Sequence, residues 1–229
     1  MNIALLGNGK TGSRVEHLAK LSDHQVTVYN STSTPKANQL VKHDIIISFV
    51  PGKAFLEWMP MLLESGVPVV SGSTGFQWPG SWAETNKKVR ENTSIWVHSG
   101  NFSIGCGLVL KLLKELRNQP EIHNFTMNLT ETHHVHKIDA PSGTALLWKD
   151  ALGFDVQIKS VREADIKGIH ELILSNDFES ITIGHEVTNR DVFAKGALQT
   201  AEFIHKNKST IDSGLYDLQQ LMMKYKHLY

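Results

Sequence analysis

The fourteen residues Glu131-Thr-His-His-Val-His-Lys-Ile-Asp-Ala-Pro-Ser-Gly-Thr144 hold three imidazoles, one ammonium, two carboxyls and a Ser-Gly-Thr turn. Core packing does not select such a density of titratable groups. An imidazole titrates near neutrality and can deliver a proton. A lysine ammonium is a compact charge that grips a carboxylate or sharpens an electrophile. Ser142 is of the type that caps a helix, and the amides of Gly143, Thr144 and Ala145 would then face outward at a positive helix end suited to a carboxylate. Proton delivery by the histidine–lysine group, coupled to capture of an anionic substrate, is the chemistry expected of this segment.

Two other readings compete. On an extended strand His134 and His136 share one face while His133 points to the other, so only two imidazoles converge. Zinc takes three or four ligands. The single cysteine, Cys106, is distant in sequence and no HExxH spacing occurs, so no metal is expected. A purely structural role for histidines this close together beside Lys137 also fits poorly.

A second chemical signature lies at Gly7-x-Gly9-x-x-Gly12. Such a turn lets backbone approach a pyrophosphate and aims helix N–H groups at its charge, with Lys10 adding a cation. The alternative is a plain glycine-rich turn. Binders of NAD usually place a carboxylate at the end of the second strand, where this chain reads Tyr29-Asn30-Ser31. Ser31, Thr32 and Lys36 offer donors to a 2′-phosphate, so NADPH is favoured with NADH also accepted. The competing reading is a polar loop of no cofactor role.

These groups need elements to position them. The run Asn2-Ile-Ala-Leu-Leu6 predicts a strand leading into the glycine turn, after which Val15, Leu18, Ala19 and Leu21 recur at helical spacing. Further strands are predicted at 25–29, 44–50, 67–70 and 94–97, with a helix over 55–63, so the alternation implies a doubly wound parallel sheet. From Ile104 the pattern changes to a long amphipathic helix over 108–116, then strands near 122–131, 156–161, 169–174 and 179–187 and a helix over 145–152. A second domain with a mixed or open sheet is the economical reading, and the helical pattern at 193–204 is read as returning to the first domain. The reactive segment falls at a strand-to-helix junction, where sheets hold their ligands.

With 229 residues and 41% hydrophobic content, a globular core is expected. Equal counts of 23 basic and 23 acidic side chains give no pull toward nucleic acid or an anionic membrane. No apolar run approaches a bilayer span of about 20 residues. The lone cysteine and the absence of a leader pattern point to the cytoplasm.

The motif Glu131-x-His-His-x-x-Lys-x-Asp-Ala-Pro-Ser-Gly-Thr144, with Gly72-Ser-Thr-Gly-Phe76, Gly100-Asn-Phe-Ser103 and Arg190-Asp-Val-Phe-Ala-Lys-Gly-Ala197, resembles the 4-hydroxy-tetrahydrodipicolinate (dihydrodipicolinate) reductase family over nearly the whole chain. The resemblance implies an N-terminal Rossmann domain completed by the C-terminal segment (1–104 and 190–229) and a central α+β domain (105–189) that binds substrate and builds a homotetramer. It implies NAD(P)H-dependent reduction of a cyclic dicarboxylic imine in lysine biosynthesis. His133 would stand in the proton-donor position and Lys137 would be catalytic. His134, Ser142, Gly143 and Thr144 would hold the substrate. Gly7, Asn8, Gly9, Lys10, Thr11 and Gly12, with Ser31 and Phe49, would bind the dinucleotide. Gly72, Ser73, Thr74, Ser99, Gly100, Asn101 and Phe102 would line the nicotinamide. Arg190 matches a family arginine without an assigned role. The chain departs from the family in lacking the acid after the second strand and in a short segment between Val161 and His170. Another small-dicarboxylate or amino-acid dehydrogenase would share the Gly7 loop but has no need of His-His-x-x-Lys, and a nucleotide sensor has no need of intact reactive groups.

Overall fold

The apolar runs at 3–6, 45–47, 69–70 and 95–97 are buried at every position, the mark of strands covered on both faces. Successive side chains on a strand point to opposite faces. Ile3 and Leu5, Ile45 and Ile47, Val70, Ile95 and Val97 therefore enter one core, and Ala4, Leu6, Ile46, Val69 and Trp96 enter another. The strands are β1 (Asn2–Leu6), β2 (Gln25–Tyr29), β3 (Ile45–Ser48), β4 (Val69–Ser71) and β5 (Ile95–His98). Between them run α1 (Lys10–Leu21), α2 (Ala37–Leu40), α3 (Gly52–Ser65) and α4 (Trp82–Glu91).

This is a computed structural model, and it describes residues 1–226. The chain then continues through α5 (Ile104–Arg117), β6 (Thr126–His133), α6 (Gly143–Leu152), β7 (Ile158–Arg162), β8 (Ile169–Ser175), β9 (Ser180–Glu186), α7 (Asp191–Asn207), β10 (Gly214–Asp217) and α8 (Leu218–Lys224). It divides into two compact units, Met1–Phe102 with the segment beginning at Phe193, and Ser103–Val192.

In the first unit the sheet order is β10-β5-β4-β3-β1-β2, with every pair parallel. The order reverses between β1 and β3. In a doubly wound sheet that reversal opens a crevice beyond the C-terminal strand ends, where the Gly7 turn lies. The core shared with α7 and α8 takes Ala194, Ala197, Ala201 and Leu221, and the opposite one takes Phe55, Met59 and Leu62 from α3.

The second unit holds a mixed sheet in the order β7-β6-β8-β9. Strand β6 pairs parallel with β7 and antiparallel with β8. One face packs on α5 and α6 through Leu110, Leu113, Leu129, Trp148, Leu152 and Leu172. Among the described residues no helix is long and apolar enough to cross a membrane.

The fold class read from the sequence is the one observed, with local differences. The strand expected from 122 begins only at Thr126, because Pro120 opens a 3₁₀ turn over Pro120–Asn124 whose fixed φ suits a helical first position. Its far end extends to His133. The strand expected over 156–161 begins at Ile158. Helix α4 went unpredicted although Ser81-Trp-Ala-Glu84 has capping-box spacing, and Ser81 Oγ indeed accepts the Glu84 amide at 3.1 Å. Strand β10 and α8 were also unpredicted, four and seven residues being too short to show a period.

Leu172 is fully buried at the centre of the second unit's sheet. Leu172→Ala is expected to cost about 2–5 kcal/mol, seen as a lowered urea midpoint; an unchanged midpoint would contradict this packing.

Candidate active site

Strand register assembles the reactive cluster. On β6 Leu129, Glu131 and His133 are buried at alternate positions, so they share the face covered by α6. Leu129 lies opposite Leu172 and Ile158, Glu131 opposite His170 and Ser160, and His133 opposite Arg162. The apolar row therefore turns polar in one step along all three strands.

Glu131 is 0% exposed. Its Oε2 meets His133 Nδ1, and its Oε1 accepts Arg162 Nη2 at 3.0 Å and the Ser142 amide at 3.3 Å. Burial pushes the Glu131 carboxyl up, but hydrogen bonds from Arg162, Ser160 and His133 together bring it below its ordinary value. A carboxylate only accepts, so His133 donates through Nδ1 and its Nε2 is the nitrogen left for chemistry. Burial lowers the His133 pKa, opposed by Glu131. Neighbouring His170 is buried, with ring centroids 5.2 Å from His133, and burial drives it down to about 4.

The strand ends at His133, so the two-face alternation expected for His134 and His136 does not apply; both lie in the following loop, ring centroids 6.2 Å apart. His134 is lowered by partial desolvation first and then by the Arg190 cation. In the same loop Lys137 Nζ sits 2.7 and 2.8 Å from the two carboxylate oxygens of Asp139. Arg162 ties this loop down, Nε donating to Lys137 O at 3.2 Å and Nη2 to Asp139 O at 2.6 Å.

At the head of α6 Ser142 is the N-cap, accepting the Ala145 amide on Oγ at 3.2 Å. That amide is thus taken, which corrects the expectation that it faces a ligand. Ser142 Oγ also lies 3.0 Å from His170 Nε2, so Ser142 is buried and committed within the cluster, while Gly143 is exposed. Donor atoms of Glu131, His133 and His170 come within 4.8 Å of one another. Both Glu131 oxygens are already engaged, one by a guanidinium whose charge opposes a cation, so the donor set fits a hydrogen-bonded relay better than a metal.

The first unit carries a candidate site of its own. Gly7 sits at φ +89°, and a Cβ on Gly12 would stand 2.0 Å from Gly7 O; only glycine closes this turn. A cavity of about 640 Å³ opens beside it and a smaller one of about 180 Å³ adjoins at Thr11, Phe49, Gly72 and Thr74. Of the residues expected at the cofactor, all but Gly12, Ser73 and Asn101 line one or the other. Gly12 supports the turn, Ser73 Oγ bonds Ser48 Oγ at 3.1 Å, and Asn101 O accepts Ser99 Oγ at 2.7 Å. Phe49 lies flush on Gly72, where a Cβ would meet its ring at 2.2 Å. This backbone-walled space beside a helix start fits a dinucleotide. Sequence reasoning missed Trp58, Asn30 and Ala54 on the cavity wall, and Arg162, Ser160 and His170 in the cluster. The second group carried no local signal, because only strand pairing brings it to Glu131.

The family model described as dihydrodipicolinate reductase, C-terminus, matches residues 105–222. A 4-hydroxy-tetrahydrodipicolinate reductase of Christiangramia forsetii is 29% identical over 92% of this chain and 95% of its own length. That of Wigglesworthia glossinidia brevipalpis is 32% identical over 80% and 69%. Dipicolinate-bound dihydrodipicolinate reductase from Paenisporosarcina sp. TG-14 shares the fold, with a TM-score of 0.77 at 19% identity covering 95% of this chain and 97% of that one.

Burial lowers His170, and likewise His98, to about 4 from 6.5. The unfolded chain takes up protons below about 6.5 that the folded chain refuses. Stability is therefore full above that pH and is lost as pH falls toward 4, by up to about 1.4 kcal/mol per pH unit for each histidine. Urea midpoints measured from pH 7.5 to 5 should fall; a flat profile would contradict the burial of these rings.

Proposed function

The chain belongs to the dihydrodipicolinate reductase family, and on that premise we propose how its own residues reduce 4-hydroxy-tetrahydrodipicolinate to tetrahydrodipicolinate, the step of lysine biosynthesis its relatives' names denote. The observation that carries the reading is the buried Glu131–His133 pair beside Lys137 and the capped start of α6. The dinucleotide, when bound, supplies the hydride. Loss of the 4-hydroxyl as water, with the proton of the adjacent ring carbon, gives the conjugated imine, to which each turnover adds one hydride and one proton. His133 delivers the proton from Nε2 while Nδ1 stays on Glu131. Lys137 exchanges its Asp139 partner for a substrate carboxylate, and His134 with Gly143 and Thr144 holds the dicarboxylate at the positive end of α6. Holding both carboxylates fixes the ring for attack, an effect worth on the order of 7–11 kcal/mol at best.

Gly7, Gly9, Lys10 and Thr11 hold the pyrophosphate at the α1 start, and the smaller cavity takes the nicotinamide. The cavity wall carries Asn30 and Ser31 where a ribose-binding acid would stand, which favours NADPH with NADH also accepted. Asn30 Oδ1 already accepts the Thr32 amide and hydroxyl and the Ser33 amide, so at this end of the cavity Asn30 has only its Nδ2 donors to add to the Ser31 hydroxyl. The assembly we propose is a cytoplasmic homotetramer joined through the second unit's sheet, whose edge strand β9 is open and exposes Ile181.

Lys137→Ala should lower kcat/KM for the dicarboxylate by about 100-fold or more while leaving NAD(P)H affinity unchanged; wild-type kcat/KM would remove Lys137 from the mechanism. In a coupled assay that generates the substrate in place, kcat/KM should be higher with NADPH than with NADH, and a clear NADH preference would reverse the assignment at Ser31.

A further inference from the structure

We infer that Arg162 and Glu131 act as one positioning couple that sets both reactive side chains, His133 and Lys137, in a single geometry. The inference rests on the proposed roles of those two side chains and adds the device that holds them. Arg162 has no free arm. Its Nη1 donates to Val161 O at 2.7 Å, its Nε to Lys137 O at 3.2 Å, and its Nη2 to Asp139 O at 2.6 Å and to Glu131 Oε1 at 3.0 Å. One guanidinium thus clamps the backbone on both sides of residue 138 and the carboxylate that orients His133. Lysine cannot do this, since a point charge lacks the rigid fork.

Glu131 is the necessary intermediary. A fully buried carboxylate without a cation protonates, and a neutral acid would then compete as donor for His133 Nδ1. The guanidinium keeps it ionised, so the imidazole is held as the Nδ1–H tautomer when neutral and Nε2 is the only nitrogen that exchanges a proton. Gly168 keeps that nitrogen clear, because a Cβ there would approach Nε2 to 3.0 Å. The charged and titratable groups facing His133 are Glu131 on its own strand, Arg162 on β7, His170 on β8 and Lys137 in the loop. Only Glu131 raises the affinity of His133 for its proton; the three cationic or cationisable groups oppose it.

The test is the pH dependence of kcat in Glu131→Gln, Arg162→Lys and His133→Gln, with dicarboxylate and NAD(P)H kinetics measured separately. A proton donor loses activity on the alkaline side as it deprotonates. Glu131→Gln should move that limb to lower pH by about one unit and lower kcat by about 10–100-fold, with KM for NAD(P)H within twofold of wild type. Arg162→Lys preserves charge and should still fold, checked by its thermal midpoint. It should lower kcat comparably and raise KM for the dicarboxylate, because the 137–139 backbone loses its clamp. Arg162→Lys with wild-type kcat and KM, or Glu131→Gln with the limb unmoved, overturns the couple. If His133→Gln abolishes the limb while Glu131→Gln leaves it at the wild-type pH, only the positioning inference falls. If the limb survives in His133→Gln, the proton-donor reading itself falls and the couple with it.

Discussion

A carboxylate with no solvent exposure, Glu131, is the constraint on which the polar cluster of the second unit is built. Taking an ion out of water costs several kcal/mol even after the protein relaxes, and the cost is offset only where geometry supplies partners on every side. Glu131 meets that condition with a guanidinium, a backbone amide, an imidazole and a hydroxyl. Those donors come from three elements: β7 brings Arg162 and Ser160, the head of α6 brings the Ser142 amide, and β6 itself brings His133. The carboxylate therefore joins three elements as well as orienting a ring, and the loop carrying Lys137 is fastened to the same guanidinium.

The dinucleotide half solves a different problem by different means. A pyrophosphate is large, already doubly charged and must leave after each turnover, so backbone donors and missing side chains serve it better than buried charges. Gly7, Gly12 and Gly72 each sit where a Cβ would collide with backbone or with Phe49. The cavity wall offers glycine backbone and the rings of Phe49 and Trp58, with Lys10 as its one cation among the described residues. On the proposed reading the first unit offers shape, dipoles and the Lys10 cation, and the second offers titratable side chains.

How much of this was legible in sequence follows from the range of each interaction. The Gly7 turn and the 131–144 cluster are local patterns, visible as residue types at short spacing. The alternate positions of Leu129, Glu131 and His133 were also visible once a strand was assumed. The partners were not. Arg162 and His170 lie 31 and 39 residues beyond Glu131 and reach it only through pairing registers that no single stretch encodes. The Ala145 amide was misread for a related reason, since a capping serine consumes the donor that its presence advertises. Helix α4 carried its capping signal in plain view, but a mean composition rich in charge hid its amphipathic face.

Because the cluster depends on register, the second unit's sheet sets its arrangement. A strand shifted by one residue turns every side chain to the other face. Such a slip of β7 would carry Arg162 away from Glu131, leave the buried carboxylate unpaired and free the Lys137 loop together. The same slip would also expose Ile158, which packs against the apolar cluster in line with Arg162. Hydrophobic burial on that one row thus enforces the register that the reactive groups need. The apolar residues at its start select the arrangement of the polar ones at its end, so folding energy and the geometry of the cluster are fixed by one alignment of strands.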